Sequence, residues 1–167
     1  MHPSTSAPVL VRRAASSDAA LCAFVHHTAW REAYAHLLPA DHWETDTLTR
    51  REQRWHQILA SGKHVEVAEK NGEIVGFAVA EPARSVGGHE PVRATELTSI
   101  YVLAAHYGSG ISRMLLDAAL PPETPAQLWV LEQNPRARRF YERHGFAFDG
   151  TRFTDPDLGL SELRYVR

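Results

Sequence analysis

The sequence predicts a mixed α/β sandwich, a central sheet with helices on both faces. Three observations predict it. Runs of strand character and helical patterns follow one another as strand, two helices, three strands, helix, strand, helix, two strands. Asn71-Gly72 stands between two such runs, a strong hairpin signal. Residues 94–119, ATELTSIYVLAAHYGSGISRMLLDAA, pass from a β-rich run through a loop with two glycines into a helical pattern.

The chain has 167 residues, which suits one domain with a real core and predicts a single domain over residues 1–167, with residues 1–8 as a flexible tail. Hydrophobic content of 44% and charged content of 23% are ordinary for a globular chain. A formal net charge of −2 favours no polyanion, which argues against a nucleic-acid partner. No apolar run approaches the roughly 18 residues of a membrane span, and MHPSTSAP lacks the apolar segment of a secretory signal. Cys22 stands alone in an apolar helical pattern and reads as a buried small hydrophobe. These features lead to the expectation of a cytoplasmic protein.

The elements follow in order. Residues 9–13 (VLVRR) form a short first strand. Ser16-Ser17-Asp18 is an N-cap cluster for a helix with Leu21, Phe24 and Val25 as apolar members, which runs toward Trp30 and ends by Pro39. Residues 46–59 carry a second helical pattern through Leu48, Trp55, Ile58 and Leu59. Residues 65–69 alternate with period two and pair across Asn71-Gly72 with residues 74–80. Residues 82–93 are a polar loop, either a hairpin tip or a segment that reaches the substrate.

The run 97–103 is a strand, and Ile111, Met114, Leu115 and Ala118 keep helical spacing until Pro121-Pro122 stops the helix. Residues 128–131 are another strand, and Pro135 opens a helix over 135–144 that Gly145 closes. Residues 147–153 and 163–166 finish the sheet.

A strand, a glycine turn and a helix N-terminus make an anion site. The first N–H groups of a helix have no internal partner, and the helix dipole adds positive charge there. Gly108 and Gly110 allow close backbone approach. No Lys follows them as a P-loop requires, and Arg113 holds the third glycine position of a dinucleotide fingerprint.

The stretch resembles motif A of the GCN5-related N-acetyltransferases (GNAT superfamily), Q/R-x-x-G-x-G/A, which holds the pyrophosphate of acetyl-CoA. Here the six positions read Tyr107, Gly108, Ser109, Gly110, Ile111 and Ser112, so Tyr107 replaces the usual Gln or Arg and Ser112 the usual Gly or Ala. Residues 126–146, AQLWVLEQNPRARRFYERHGF, resemble motif B of the same family, with Asn134 and Tyr141 at the motif's Asn and Tyr.

The resemblance implies a mostly antiparallel GNAT sheet. Its two central strands, here ending near Val102 and Leu131, pair in parallel and then splay to admit pantetheine. It implies acetyl-CoA as cosubstrate, with Ile100, Tyr101 and Val102 offering backbone groups to it. Gly108 to Ser112 and Arg113 then lie at the phosphates and Asn134 on pantetheine. Arg136, Arg138 and Arg139 are further phosphate candidates. Trp30, Tyr34 and Trp43 are candidates for the acceptor wall, or anchors packed on the sheet. A homodimer is compatible with the family, and no metal motif occurs.

Acetyl transfer to an amine requires removal of a proton from an ammonium of pKa about 10 and a proton donor for a thiolate whose thiol has a pKa of roughly 8.5. Direct attack in a ternary complex needs no enzyme nucleophile. Tyr141 is the candidate acid, since a phenol is protonated at neutral pH. Glu96, six residues before Val102, matches the offset of the base in the histone-acetyltransferase branch. Glu132 is the rival, a water chain is another route, and Glu32, Glu81 and His89 are weaker options. The acceptor is a small molecule or a peptide, with the small molecule ranked first because no charged track suggests a macromolecular groove. The alternative is a degenerate domain that binds acyl-CoA as a sensor without turnover, motivated by Tyr107 and Ser112.

Overall fold

A computed structural model describes residues 7–167; residues 1–6 of the expected tail lie outside the described residues. Seven strands form a sheet of order β1-β2-β3-β4-β5-β7-β6. They are β1 Val9–Arg13, β2 Val65–Lys70, β3 Glu73–Pro82, β4 Thr95–Val102, β5 Gln127–Leu131, β6 Ala147–Thr154 and β7 Ser161–Val166. Five α-helices accompany them among the described residues: α1 Ala19–Tyr34, α2 Ala40–Thr45, α3 Leu48–Ala60, α4 Ile111–Ala119 and α5 Pro135–Arg143. The predicted α/β class holds, and so does the element order apart from one added short helix, α2. Contacts divide the chain into two compact units, one running to Ala78 and taking up Ile100–Ala118, the other made of Val79–Ser99 and Ala119–Arg167.

In the first unit β1 and β2 pair antiparallel from Val9↔Lys70 to Arg13↔Glu66. The hairpin turn has Asn71 at φ 54° and Gly72 at φ 78°, the two left-handed residues that a tight β-hairpin demands. Val25, Val65, Val67, Phe77 and Leu115 are fully buried and form the core here. Ser16–Asp18 form a 3₁₀ turn, and Asp18 stands before α1 without a side-chain cap bond to it; its carboxylate accepts the Ala15 N–H at 2.7 Å and pairs with Arg12 at 2.8 Å.

Three details differ from the periodicity. Leu21 and Phe24 are exposed, and the buried face of α1 is Ala19, Cys22, Ala23, Val25 and Ala29, so mostly small residues meet the sheet. The second helical pattern is met by α3, which starts after Thr47, whose hydroxyl accepts the Arg50 N–H at 3.3 Å; a short helix that the periodicity did not mark, α2, precedes it. On α4 the buried residues are Ile111, Leu115 and Leu116, while Met114 is exposed. The core there lies on the Leu116 side of the helix.

In the second unit β4 and β5 run parallel, registered at Glu96↔Gln127 and Leu97↔Leu128. β7 pairs antiparallel with β5 from Gln127↔Val166 to Leu131↔Glu162, and β6 pairs with the other edge of β7. Ala126, Leu128, Phe146 and Tyr165 are core residues. The polar loop after β3 is a pinned hairpin tip. Ala83 N–H donates to Ala94 O at 2.9 Å, Val86 and His89 bond each other, and a Cβ on Gly87 would lie 2.0 Å from the Phe153 ring. Among the described residues no helix is long and apolar enough to cross a membrane.

Candidate active site

In the first unit the end of β4 leads into the glycine loop. Leu103 N–H donates to Val75 O at 3.0 Å, and β3 approaches closely because residue 76 is glycine: a Cβ there would lie 2.9 Å from Tyr101 O. A 3₁₀ turn at Ala104–His106 follows, tied to α1 by the Ala104 N–H, which donates to Glu32 Oε2 at 2.8 Å. Ser109 closes the loop, its hydroxyl donating to His106 O at 2.6 Å.

Gly108 (φ 75°) and Gly110 (φ 87°) are both left-handed, and a Cβ on either would meet no protein atom within 4 Å. Backbone conformation alone therefore demands glycine, and the space beside each is open. Ile111, Ser112 and Arg113 form the first turn of α4, whose N–H groups lack intrahelical partners by geometry. Ile111 is buried; Arg113 is exposed beside Asp117, 3.6 Å away. Tyr107 is partly exposed.

In the second unit Asn134 caps α5: its Oδ1 accepts the Ala137 N–H at 3.1 Å, and Pro135 occupies the first turn. Tyr141 is buried, its ring 5.4 Å from Phe140 and 6.0 Å from Phe146. Arg138 has a structural use, donating to Tyr165 Oη at 3.0 Å and to Glu132 O at 3.2 Å, and Arg139 bonds Pro135 O.

The base candidates separate clearly. Glu96 is buried on β4, and its Oε1 accepts from Gln127 Nε2 at 2.9 Å. Burial pushes its pKa above the ordinary value, helped by Glu81 and opposed by the Gln127 bond and Arg84. Glu132 instead pairs with Arg152. Glu81 accepts from the Thr98 hydroxyl at 2.8 Å, and the His89 ring lies beside Trp129. The sequence reading missed Glu162, whose pKa is also raised, by burial first and then by Asp155 and Glu96. Its place on a strand that pairs on both sides, β7 between β5 and β6, is the signal that could have found it.

The aromatic residues of α1 belong to the first unit. Trp30 packs edge-on against Tyr34 at 4.5 Å and lies 6.1 Å from Tyr101; Trp43 meets His42 edge-on at 4.9 Å and lies under Arg31. His26, not anticipated, stands 5.1 Å from the Tyr101 ring and 5.4 Å from Phe77. Trp55 Nε1 donates to His26 Nδ1 at 3.3 Å. Burial, reinforced by Arg51 and Arg54, holds the imidazole neutral with a pKa of about 3. The ring therefore carries its proton on Nε2 and acts there as a donor.

The acetyltransferase (GNAT) family model matches residues 24–146. The chain is 31% identical over 175 aligned residues to the uncharacterized N-acetyltransferase YuaI of Bacillus subtilis, covering 95% of this chain and 96% of that one. Among solved structures, the ribosomal-protein-alanine N-acetyltransferase of Brucella melitensis superposes with a TM-score of 0.70 at 24% identity, covering 95% of this chain and 98% of the other. The yncA protein of Salmonella typhimurium, solved with its cofactor acetyl-CoA, superposes with a TM-score of 0.66 at 19% identity, covering 96% and 93%. A strand running into two left-handed glycines and a helix, a second strand running into an Asn-capped helix, and a family match that spans both make this chain a member of the GNAT acetyltransferase family.

Proposed function

We propose that the protein transfers an acetyl group from acetyl-CoA to a primary amine by direct attack in a ternary complex, the whole chain acting as one catalytic domain. The observation that carries this reading is the glycine loop at the head of α4. Gly108 and Gly110 are left-handed with open space beside them, and the first turn of the helix follows. Such a cradle fits a pyrophosphate. The coverage of 95% of this chain and 96% of its YuaI relative supports a single domain, and the acetyl-CoA bound to yncA supports the donor. A cytoplasmic setting, where acetyl-CoA is at hand, belongs to the same reading.

In this reading the backbone N–H groups of Gly108 to Arg113 hold the phosphates, and Ile100, Tyr101 and Val102 offer main-chain groups to pantetheine. Asn134 keeps Oδ1 for its cap and turns its amide nitrogen to the same arm. Bound acetyl-CoA supplies an activated thioester. Glu96 takes the ammonium proton, directly or through water, and its raised pKa suits that task. Tyr141 donates its phenolic proton to the departing sulfur as the C–S bond breaks, and the second proton lost by the acylated nitrogen restores the phenol through solvent. Tyr107, standing where a side-chain donor is usual, leaves the grip to the backbone.

Thermal melting with acetyl-CoA tests the donor site. Saturation at about a hundred times Kd stabilises by about 2.7 kcal/mol, a clear shift for one domain. Tyr141→Phe is expected to keep that shift and lose kcat on an amine panel. No shift in the native chain but one in Tyr107→Arg would assign a decayed donor site and favour the sensor reading. No shift in either would overturn both.

A further inference from the structure

Three arginines of α3 stand on one side of the helix. Arg50, Arg51 and Arg54 are spaced i, i+1 and i+4, so they reach the same flank. With His26, Trp30 and Trp55 they line a cavity of about 390 Å³ in the first unit, within the range for small-molecule sites. Its aromatic side is anchored: Trp55 is buried, its ring 4.7 Å from Phe77, and His26 packs on both Phe77 and Tyr101.

The charge of this lining is unbalanced. Asp46 is its only carboxylate, and Arg51 holds both of its oxygens, at 2.7 and 2.8 Å. Arg50 spends one nitrogen on Thr45 O at 3.1 Å, which neutralises no charge. Arg54 is exposed and makes no hydrogen bond or ion pair with the described residues. Two positive charges therefore remain over one small cavity.

His26 and Trp30 add donors. The protonated edge of His26 is Nε2, because Nδ1 accepts from Trp55. Trp30 Nε1, a donor only, is buried in the wall with no partner, and so is His42 Nε2. A wall with an unmatched indole donor, excess positive charge and a single carboxylate already held by Arg51 is short of acceptors, and an oxyanion supplies them.

We infer that this cavity binds the oxyanion of the acceptor, which makes the acceptor a small amine that also carries a carboxylate or phosphate group, with its apolar part against Trp30 and Trp55. The role as acceptor rests on the acetyltransferase reading; the affinity for an oxyanion does not. His26 ties the cavity to β4 through its contact with Tyr101, the residue proposed to serve the donor. Arg51 is committed to Asp46, so Arg54 and Arg50 are the residues that recognise the anion.

The test uses the full chain and two readouts. Without acetyl-CoA, phenylalanine and phosphoethanolamine are compared with phenylalaninamide and phenethylamine in thermal melts. An anionic probe is expected to stabilise and the neutral ones are not; phenylalanine alone would assign a carboxylate and phosphoethanolamine alone a phosphate. With saturating acetyl-CoA, phenylalanine is expected to be preferred over its amide by roughly ten- to a hundred-fold in kcat/KM, the size of a charge-assisted contact. Arg54→Gln is expected to remove most of that preference through KM with kcat kept, and Arg50→Gln to act in the same direction. Equal melting and equal kcat/KM for acid and amide, with acetyl-CoA still bound and amines still acetylated, would overturn the inference and leave the acetyltransferase reading standing. Absence of acetyl-CoA binding and of all turnover would overturn that reading, while the melting arm still decides the cavity.

Discussion

Gln127 holds Glu96 from the neighbouring strand: its Nε2 donates to Glu96 Oε1 at 2.9 Å, and its own Oε1 accepts the Val92 and Arg93 N–H groups at 2.8 and 3.2 Å. The carboxylate is thereby fixed on a strand that leads to the glycine loop. Burial still favours its neutral form. A folded-state pKa raised above the unfolded one contributes stability that is present below the ordinary value of 4.5 and is lost as pH rises through the folded value. Glu96→Gln keeps an acceptor for Gln127 and removes the titration. The variant is expected to match the native chain in urea melts at low pH and to exceed it at pH 8, while kcat falls by about 10²–10⁴-fold. Unchanged kcat would move the base elsewhere, with Glu162 the next carboxylate to replace.

Gly76 of β3 and Gly110 of the loop separate fold from function. Gly110→Ala forces a left-handed alanine and is expected to cost about 1–2 kcal/mol, since no protein atom meets the new methyl. Its methyl occupies the space proposed for phosphate, so the acetyl-CoA shift in melting should disappear although the protein still folds. Gly76→Ala drives a methyl to 2.9 Å from Tyr101 O and Val102 Cγ2 and 3.0 Å from Leu115 Cδ1. A stability loss of about 1–3 kcal/mol is expected there, read by denaturant melting.

Arg164 organises the far end of the sheet. Its side chain is nearly buried, donates to Asp149 at 2.6 Å, to Glu90 O at 2.9 Å and to Thr151 Oγ1 at 3.0 Å, and lies 5.7 Å from the Trp129 ring. Burial raises the pKa of Asp149, but the Thr151 N–H and Arg164 outweigh it and hold the carboxyl below 3.8. This stability is present above the unfolded pKa and lost as pH falls through the folded one. Arg164→Leu removes the donor to Asp149, Glu90 O and Thr151 and is expected to cost about 1–3 kcal/mol, since the exposed Asp149 is then hydrated. Adding Asp149→Asn should recover part of that loss in a double-mutant cycle.

Cys22 should be chemically silent in the native state. It is fully buried on α1, and burial pushes its thiol up to about 12. Labelling by a thiol reagent is expected to follow unfolding rather than thiolate chemistry. Rapid labelling without denaturant would show that α1 opens locally.

Much of the fold was legible in the chain because its signals are local. Asn71-Gly72 adopts the left-handed pair that its residues allow, Gly108 and Gly110 mark the turn into α4, and Pro135 and Asn134 open α5. Each rests on the conformational limits of a few neighbouring residues. The glycine loop and the capped helix proposed for the donor were legible for the same reason: local sequence dictates the geometry of their backbone N–H groups.

Tertiary structure decided what depends on which side of an element meets the core. Leu21, Phe24 and Met114 are apolar yet exposed, because small residues of α1 and Leu116 of α4 supply the buried faces instead. It also gave Glu96 a buried partner, tied Glu132 to Arg152, and brought His26 of α1 and the arginines of α3 to one cavity. These groups lie 20 to 31 positions apart in the chain, so no periodicity links them. Sequence by itself determined the glycine loop and helix starts proposed for the donor, which are matters of local backbone; only packing decided the charge and shape of the cavity beside Trp30 and Trp55, because those belong to side chains from separate elements.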